Sequence, residues 1–241
     1  MPFTVFDIET RIDKGLVKAV YNRGEDIGED EAFAQARAEI AARSRSGSDF
    51  FPLVFHVPVS IVVGEVDDER VLVGVHVLGA EGYGEAAIVC EFWARFQERG
   101  GTLVSFNGRT FDLPVLELAA LRHGCALPRY FADGYRDRRA VDLHYDLYDF
   151  LTNHGAYHLS GGFHLAAQLI GLPGKGAVDG AAVQALWEAG RLPDVHAYCR
   201  RDVIQTYLLF LRLELVRGRI TAEQYAAALA AAAPFRAELG A

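Results

Sequence analysis

An α/β fold follows from three features of this 241-residue sequence. Its β-prone apolar segments crowd the first half, helical spacing dominates the second, and helical patterns are interleaved among the strands. Residues 3–8 are apolar and β-prone on both faces, the composition of a buried central strand. A polar, glycine-containing stretch runs over about 11–30, and helical spacing over 31–43 stops at Ser44-Arg45-Ser46-Gly47-Ser48, a loop composition. Strands are expected over about 54–63 and 70–78, split by the acidic turn Asp67-Asp68-Glu69. Ile88, Phe92 and Phe96 recur at helical spacing between Gly82 and Gly100. A short strand over 102–106 runs into Asn107-Gly108, and a helix covers 113–123.

Past Arg129, short helical candidates at about 143–151, 163–169 and 180–188 are separated by glycine-rich loops. A long pattern at about 194–217 sets Cys199, Val203, Thr206, Phe210 and Leu213 on one stripe, and an alanine-rich helix at about 222–233 is expected at the periphery. No internal repeat or long linker divides the chain. One domain over 1–241 is expected, with a core over about 3–212 and a C-terminal helical extension over about 218–241.

Hydrophobic residues make up 51% and charged residues 23%, which excludes a disordered chain. No apolar run reaches the roughly 18–20 residues that cross a bilayer, and the N-terminus lacks the basic start and apolar stretch of a signal peptide. Cys90, Cys125 and Cys199, odd in number and without a CxxC pair, fit reduced thiols in a cytoplasmic protein and not a structural zinc site. With 32 acidic against 24 basic side chains the formal charge is −8. That balance disfavours wholesale coating of a duplex, yet leaves room for an enzyme that gathers acids at a metal centre.

Three segments carry acids at the ends of elements. Asp7 and Glu9 are two apart in a strand, so they point to the same face. Two like charges buried together call for a cation, for which divalent magnesium or manganese suits hard oxygens; the alternative is that the strand ends early and both face solvent. Asp112, before Leu113-Pro114, is placed to cap a helix or to bind a metal through a free oxygen. Tyr198 and Asp202 lie one turn apart on a helix face, either as a functional pair or as an ordinary amphipathic edge.

Together these residues resemble the tyrosine branch of the DEDD superfamily of 3'-5' exonucleases. The nearest likeness is to predicted exonucleases related to the proofreading domain of family B DNA polymerases. It rests on Phe6-Asp7-Ile8-Glu9-Thr10, Ser105-Phe106-Asn107-Gly108 with Phe111-Asp112-x-Pro114, Leu172-Pro173-Gly174-Lys175, and Tyr198-Cys199-x-x-Asp202-Val203-x-x-Thr206-Tyr207, and extends from Phe3 to about Arg212. The resemblance implies a ribonuclease H-like fold, a mixed sheet flanked by helices with acids clustered at its edge. It also implies two Mg²⁺ or Mn²⁺ ions held by Asp7, Glu9, Asp112 and Asp202, with Asp7 bridging both, and hydrolysis of phosphodiester bonds at 3' ends. Tyr198, with an ordinary pKa near 10, is expected to orient the attacking water and not to act as a base. The branch that uses histidine would need it at position 197, which is alanine; His196 points elsewhere.

For the substrate, expected to be single-stranded DNA, the backbone near Thr10 and Asn107, the ring of Phe111 and the ammonium of Lys175 are candidate contacts; Phe111 also fits core packing. Arg129, Arg136, Arg138 and Arg139 fit a solvated loop offset by Asp133 and Asp137, or a phosphate grip. Asp142 is expected to cap a helix. His154, His158 and His164 match no helical zinc pair and read as loop or packing residues. Two other functions compete: a non-catalytic nucleic-acid-binding module or an RNA-directed exonuclease on the same fold. A single-metal hydrolase of small phosphate esters is a third.

Overall fold

The computed structural model describes residues 1–175 and 180–240. Five strands form one sheet in the order β3-β2-β1-β4-β5, with β1 Phe3–Ile12, β2 His56–Val66, β3 Leu72–Val77, β4 Thr102–Ser105 and β5 His144–Asp146. β2 runs antiparallel to β1 and β3, while β4 runs parallel to β1 and β5, so the sheet is mixed. This is the α/β, ribonuclease H-like arrangement expected.

Alternation along β1 sorts its side chains into two layers. Phe3 and Val5 pack with Cys199, Val203, Tyr207 and Phe210 of the long helix α9 (Leu192–Val216); Phe6 and Ile8 pack with Phe92, Trp93 and Leu116 on the other face. The second layer is built from α3 (Glu85–Arg99) and α4 (Asp112–His123). Helix α9 spans Leu192–Val216 and lies across β1 and β2. Its close seating depends on Gly64 of β2: a Cβ there would stand 3.1 Å from Val203 Cγ1 and 3.3 Å from Leu72 Cδ1. Asp7 and Glu9 continue the Phe3–Val5 row, so the period of two that builds the core also delivers both carboxylates to the α9 side.

Several elements differ from expectation. β1 continues to Ile12 because it pairs with β2 beyond a bulge, where Glu9 faces Ser60 but Thr10 faces Pro58. Proline has no N–H to give the ladder, which makes it suited to a bulge. The polar stretch holds helix α1, Lys14–Tyr21, opened by the Asp13 carboxylate accepting from Leu16 N–H at 3.0 Å. α2 (Glu29–Arg43) follows as expected, and a five-residue helix α5 (Pro128–Ala132) was not foreseen. The candidate helix at about 143–151 divides into β5 and α6 (Leu147–Leu151). Asp146, not Asp142, caps α6, accepting from Tyr148 and Asp149 N–H.

α7 (Gly162–Leu169), α8 (Gly180–Glu188), α10 (Ala222–Ala231) and α11 (Ala233–Ala237) complete the fold. The C-terminal helices are less peripheral than expected: Ala228, Ala232 and Leu239 are buried in the α9-side core, and Arg200 pairs with Glu238 at 2.6 Å. Cys90 of α3 and Cys125 just after α4 form a disulfide, correcting the expectation of three reduced thiols; Cys199 alone is free. Packing of α3 against α4 brings the two cysteines together, an adjacency that sequence spacing does not reveal. Among the described residues no helix is long and apolar enough to cross a membrane.

Candidate active site

The Asp7 and Glu9 oxygens and the Cys199 Sγ lie within 4.8 Å of one another. Both carboxylates keep part of their surface open to a cavity of about 540 Å³, which Asp112 and Asp202 also line. Asp112 does not cap α4. It is that helix's first residue, and its Oδ1 accepts the buried Ile8 N–H at 3.2 Å, locking the start of α4 onto β1. One oxygen is thereby engaged and the other remains for a ligand.

The turn before Asp112 is held from below. Asp146 accepts the N–H groups of Asn107 and Arg109, each at 2.9 Å, in addition to its two helix-capping bonds. Asn107 sits at φ 64°, and Gly108 admits no larger residue because a Cβ would collide with the Ser105 side chain. Strand end, left-handed turn and helix start thus form one unit that aims Asp112 at the cavity.

From the opposite side α9 presents Asp202 and, one turn earlier, Tyr198. Asp202 is 3% exposed, and its Oδ2 has no hydrogen-bond partner among the described residues. Lys175 Nζ approaches that oxygen to 3.6 Å, an ion pair too long for a hydrogen bond, and stands 5.9 Å over the Tyr198 ring. Tyr198 is buried behind the cavity wall and not in its lining; the other eight expected site residues, Asp7, Glu9, Thr10, Asn107, Phe111, Asp112, Lys175 and Asp202, all line the cavity.

Charge crowding is visible in the acidities. Burial, and then repulsion from Asp112, Glu9 and Asp202, raise Asp7 well above the usual carboxylate range. Burial raises Glu9 to about 8, against the pull of Lys175, with Asp202 and Asp112 adding to the rise. Asp112 is raised to about 7, chiefly by burial. Asp202 is also raised by burial, with Lys175 and the Tyr198 hydroxyl pulling the other way. For Lys175, burial alone would lower the pKa, but Asp7 and Asp202 more than reverse that effect. Burial and Asp202 raise Tyr198, so its phenol stays protonated and acts as a donor.

Among the described residues one lysine, Lys175, lines the cavity with four carboxylates, which leaves this centre short of positive charge. Hard oxygen donors, with a buried Oδ2 that makes no hydrogen bond among the described residues, fit a divalent cation such as Mg²⁺ or Mn²⁺. The same three segments singled out from the sequence therefore supply a constellation able to hold cations.

Beyond the expected residues, the cavity has aromatic walls that the sequence reading missed. Phe111 meets His56 edge-on at 5.2 Å and Phe50 at 6.0 Å on one side, while Phe106, Tyr148 and Phe163 line the other. Phe50 is 55% exposed, an unusual state for a phenylalanine and a signal legible only once its neighbours are known. Thr10 Oγ1 pairs with His56 Nδ1 at 2.9 Å, and Asn107 Oδ1 accepts the Thr110 hydroxyl at 2.8 Å.

The remaining candidates divide between the cavity wall and the surface. Arg129, on α5, and Arg136 and Arg138, in the loop that follows, pair with Asp133, Glu117 and Asp149, and none of the four clustered arginines is among the residues that line the cavity. His154 faces Asp149, while His158, which pairs with Tyr148 at 3.2 Å, and His164 both line the cavity without forming a metal-binding group among the described residues. His196 bonds Ser60, the cross-strand neighbour of Glu9, at 2.9 Å and is not among the residues that line the cavity.

No curated protein matches the chain. The family of predicted 3'-5' exonucleases related to the exonuclease domain of PolB matches residues 48–237, a span that includes Asp112, Lys175, Tyr198 and Asp202 and begins after Asp7 and Glu9. The chain belongs to this family of predicted 3'-5' exonucleases.

Proposed function

We propose that this protein is a metal-dependent hydrolase that removes nucleotides from the 3' end of single-stranded DNA. One observation carries the reading: four carboxylates from three distant segments share one cavity, and a single lysine opposes them. Asp7, Glu9, Asp112 and Asp202 would hold two Mg²⁺ or Mn²⁺ ions. Bound ions supply the positive charge that activates water and stabilises the developing phosphate charge.

The protein's own groups do the rest. Tyr198, kept protonated and set beside Asp202, would donate its hydroxyl hydrogen to a water held at that carboxylate. The Lys175 ammonium, 3.6 Å from Asp202 and lining the same cavity, would pair with the phosphate. Phe111 and the facing aromatic wall stack bases without reading sequence, as suits an enzyme that works along a strand. Thr10 and Asn107 border the same channel and contact the terminal nucleotide. The Cys90–Cys125 disulfide removes the thiol argument for a reducing compartment.

Digestion of 5'-labelled DNA and RNA oligonucleotides with Mg²⁺, Mn²⁺ or chelator tests it. A metal-dependent ladder descending from the DNA 3' end is expected. No cleavage would leave a binding module, turnover confined to nucleotide esters would indicate a small-molecule phosphatase, and cleavage of RNA alone would reassign the substrate.

A further inference from the structure

His56 makes two hydrogen bonds, and the direction of one fixes the direction of the other. Its Nε2 lies 3.2 Å from the Phe51 backbone oxygen, and its Nδ1 lies 2.9 Å from Thr10 Oγ1. Burial holds the imidazole below its ordinary pKa, against the pull of the Phe51 carbonyl, so the ring is neutral near pH 7 and carries one N–H. A carbonyl oxygen only accepts, which puts that hydrogen on Nε2. Nδ1 is then an acceptor, and the Thr10 hydroxyl must donate to it. With its single hydrogen committed, Thr10 Oγ1 can only accept from a group in the cavity.

The surroundings connect this relay to a substrate. Thr10 follows Glu9 across the β1 bulge, and both line the cavity together with His56. The imidazole is braced by Phe50, 5.0 Å away, and by Phe111, edge-on at 5.2 Å. Threonine is stiff at χ1, and without His56 to hold Oγ1 a rotation there would exchange the hydroxyl for the methyl.

We infer that His56 is a positioning residue that makes Thr10 an acceptor for the 3'-hydroxyl of the terminal nucleotide, so that a 3' end is selected by a hydrogen the end itself donates. The inference rests on the exonuclease reading and names a specificity device within it. In DNA the 3'-hydroxyl is the only hydroxyl of the terminal sugar, and every unmodified end carries it whatever its base. A donor in the sugar therefore suits an enzyme that does not read sequence.

Single-turnover digestion with Mn²⁺ compares 5'-labelled DNA oligonucleotides that differ only at the last sugar, which bears a 3'-hydroxyl, a 3'-hydrogen or a 3'-fluorine. Fluorine is polar but has no hydrogen to give. The first cleavage of the hydroxyl end is expected to be about tenfold faster than that of either other end, the weight of one hydrogen bond. His56→Phe keeps an aromatic ring between Phe50 and Phe111, yet should bring that ratio to about one; Thr10→Val should do the same and Thr10→Ser should keep it. A ratio near one in the wild type overturns the inference, as does a fluoro end cleaved as fast as a hydroxyl end. So does a ratio that stays near ten in His56→Phe while all three ends slow alike, which is what a merely structural histidine would give. Should His56→Phe fail to fold, the ¹⁵N shifts of the wild-type imidazole decide: a hydrogen on Nε2 supports the relay, and one on Nδ1 overturns it. Absence of cleavage at every end removes the exonuclease reading, whereas cleavage with the wrong ratio removes only this inference.

Discussion

Replacing Glu9 by glutamine should stabilise the metal-free protein, and by more at high pH than at low. The folded state raises this carboxyl from 4.5 to about 8, so it keeps a proton that the unfolded chain has released. Its contribution to stability is therefore fully present below pH 4.5 and is lost as pH rises through 8. Between about pH 5.5 and about pH 8.5 the loss is on the order of 3 kcal/mol, using about 1.4 kcal/mol per pH unit. In a chain of this size that corresponds to about 6–12 °C in Tm.

Glutamine is neutral throughout and does not suffer the loss. Thermal melts of wild type and Glu9→Gln in chelator at both pH values give the comparison, and the variant's advantage should grow by about 6–12 °C toward the alkaline condition. His144, buried and pushed down to about 3, works in the opposite sense by opposing folding at low pH, but does so in both proteins and cancels in the difference. Adding Mn²⁺ should reverse the order, since the wild type gains a ligand that the variant lacks. An identical difference at both pH values would refute the idea that Glu9 sits in a crowded, buried acidic centre.

Asp7→Asn should lower Mn²⁺-dependent cleavage by more than the roughly 100-fold that loss of an outer-shell partner costs, while Tm in chelator holds or rises; parallel kinetics and melts check this. Tyr198→Phe should reduce kcat by about 100-fold at unchanged Mn²⁺ affinity, read by steady-state kinetics and manganese spin resonance. Asp146→Ala strands four backbone N–H groups and should cost at least about 3 kcal/mol in denaturant unfolding. Reducing the Cys90–Cys125 bond, which closes a 35-residue separation, should cost about 3–4 kcal/mol, seen as a lower unfolding midpoint in reductant.

The acids were legible because each stood against a local pattern: Asp7 and Glu9 broke an apolar strand, and Tyr198 and Asp202 shared a face of a strongly periodic helix. What escaped was set by contacts between distant segments. β5 has only three residues and exists by pairing with β4, so its sequence looked like the first turn of α6. α1 buries Val17 alone, too little apolar surface to announce itself among charged neighbours. Asp146 gave a cap signal indistinguishable from that of Asp142, and only the nearness of the 107–109 turn reveals its larger role. The disulfide and the Phe50–His56 rim depend likewise on which loops become neighbours.

Gly64 has no contact with the cavity, yet it governs the distance between two halves of the acidic centre. Asp7 belongs to the sheet and Asp202 to α9, and the helix rides against β2 through Val203, the residue next to Asp202. One methyl group at position 64 would act as a shim, lifting the helix by tenths of an ångström and spreading the carboxylates without altering any of them. Drift in the spacing of this centre can therefore begin in a residue that touches neither metal nor strand.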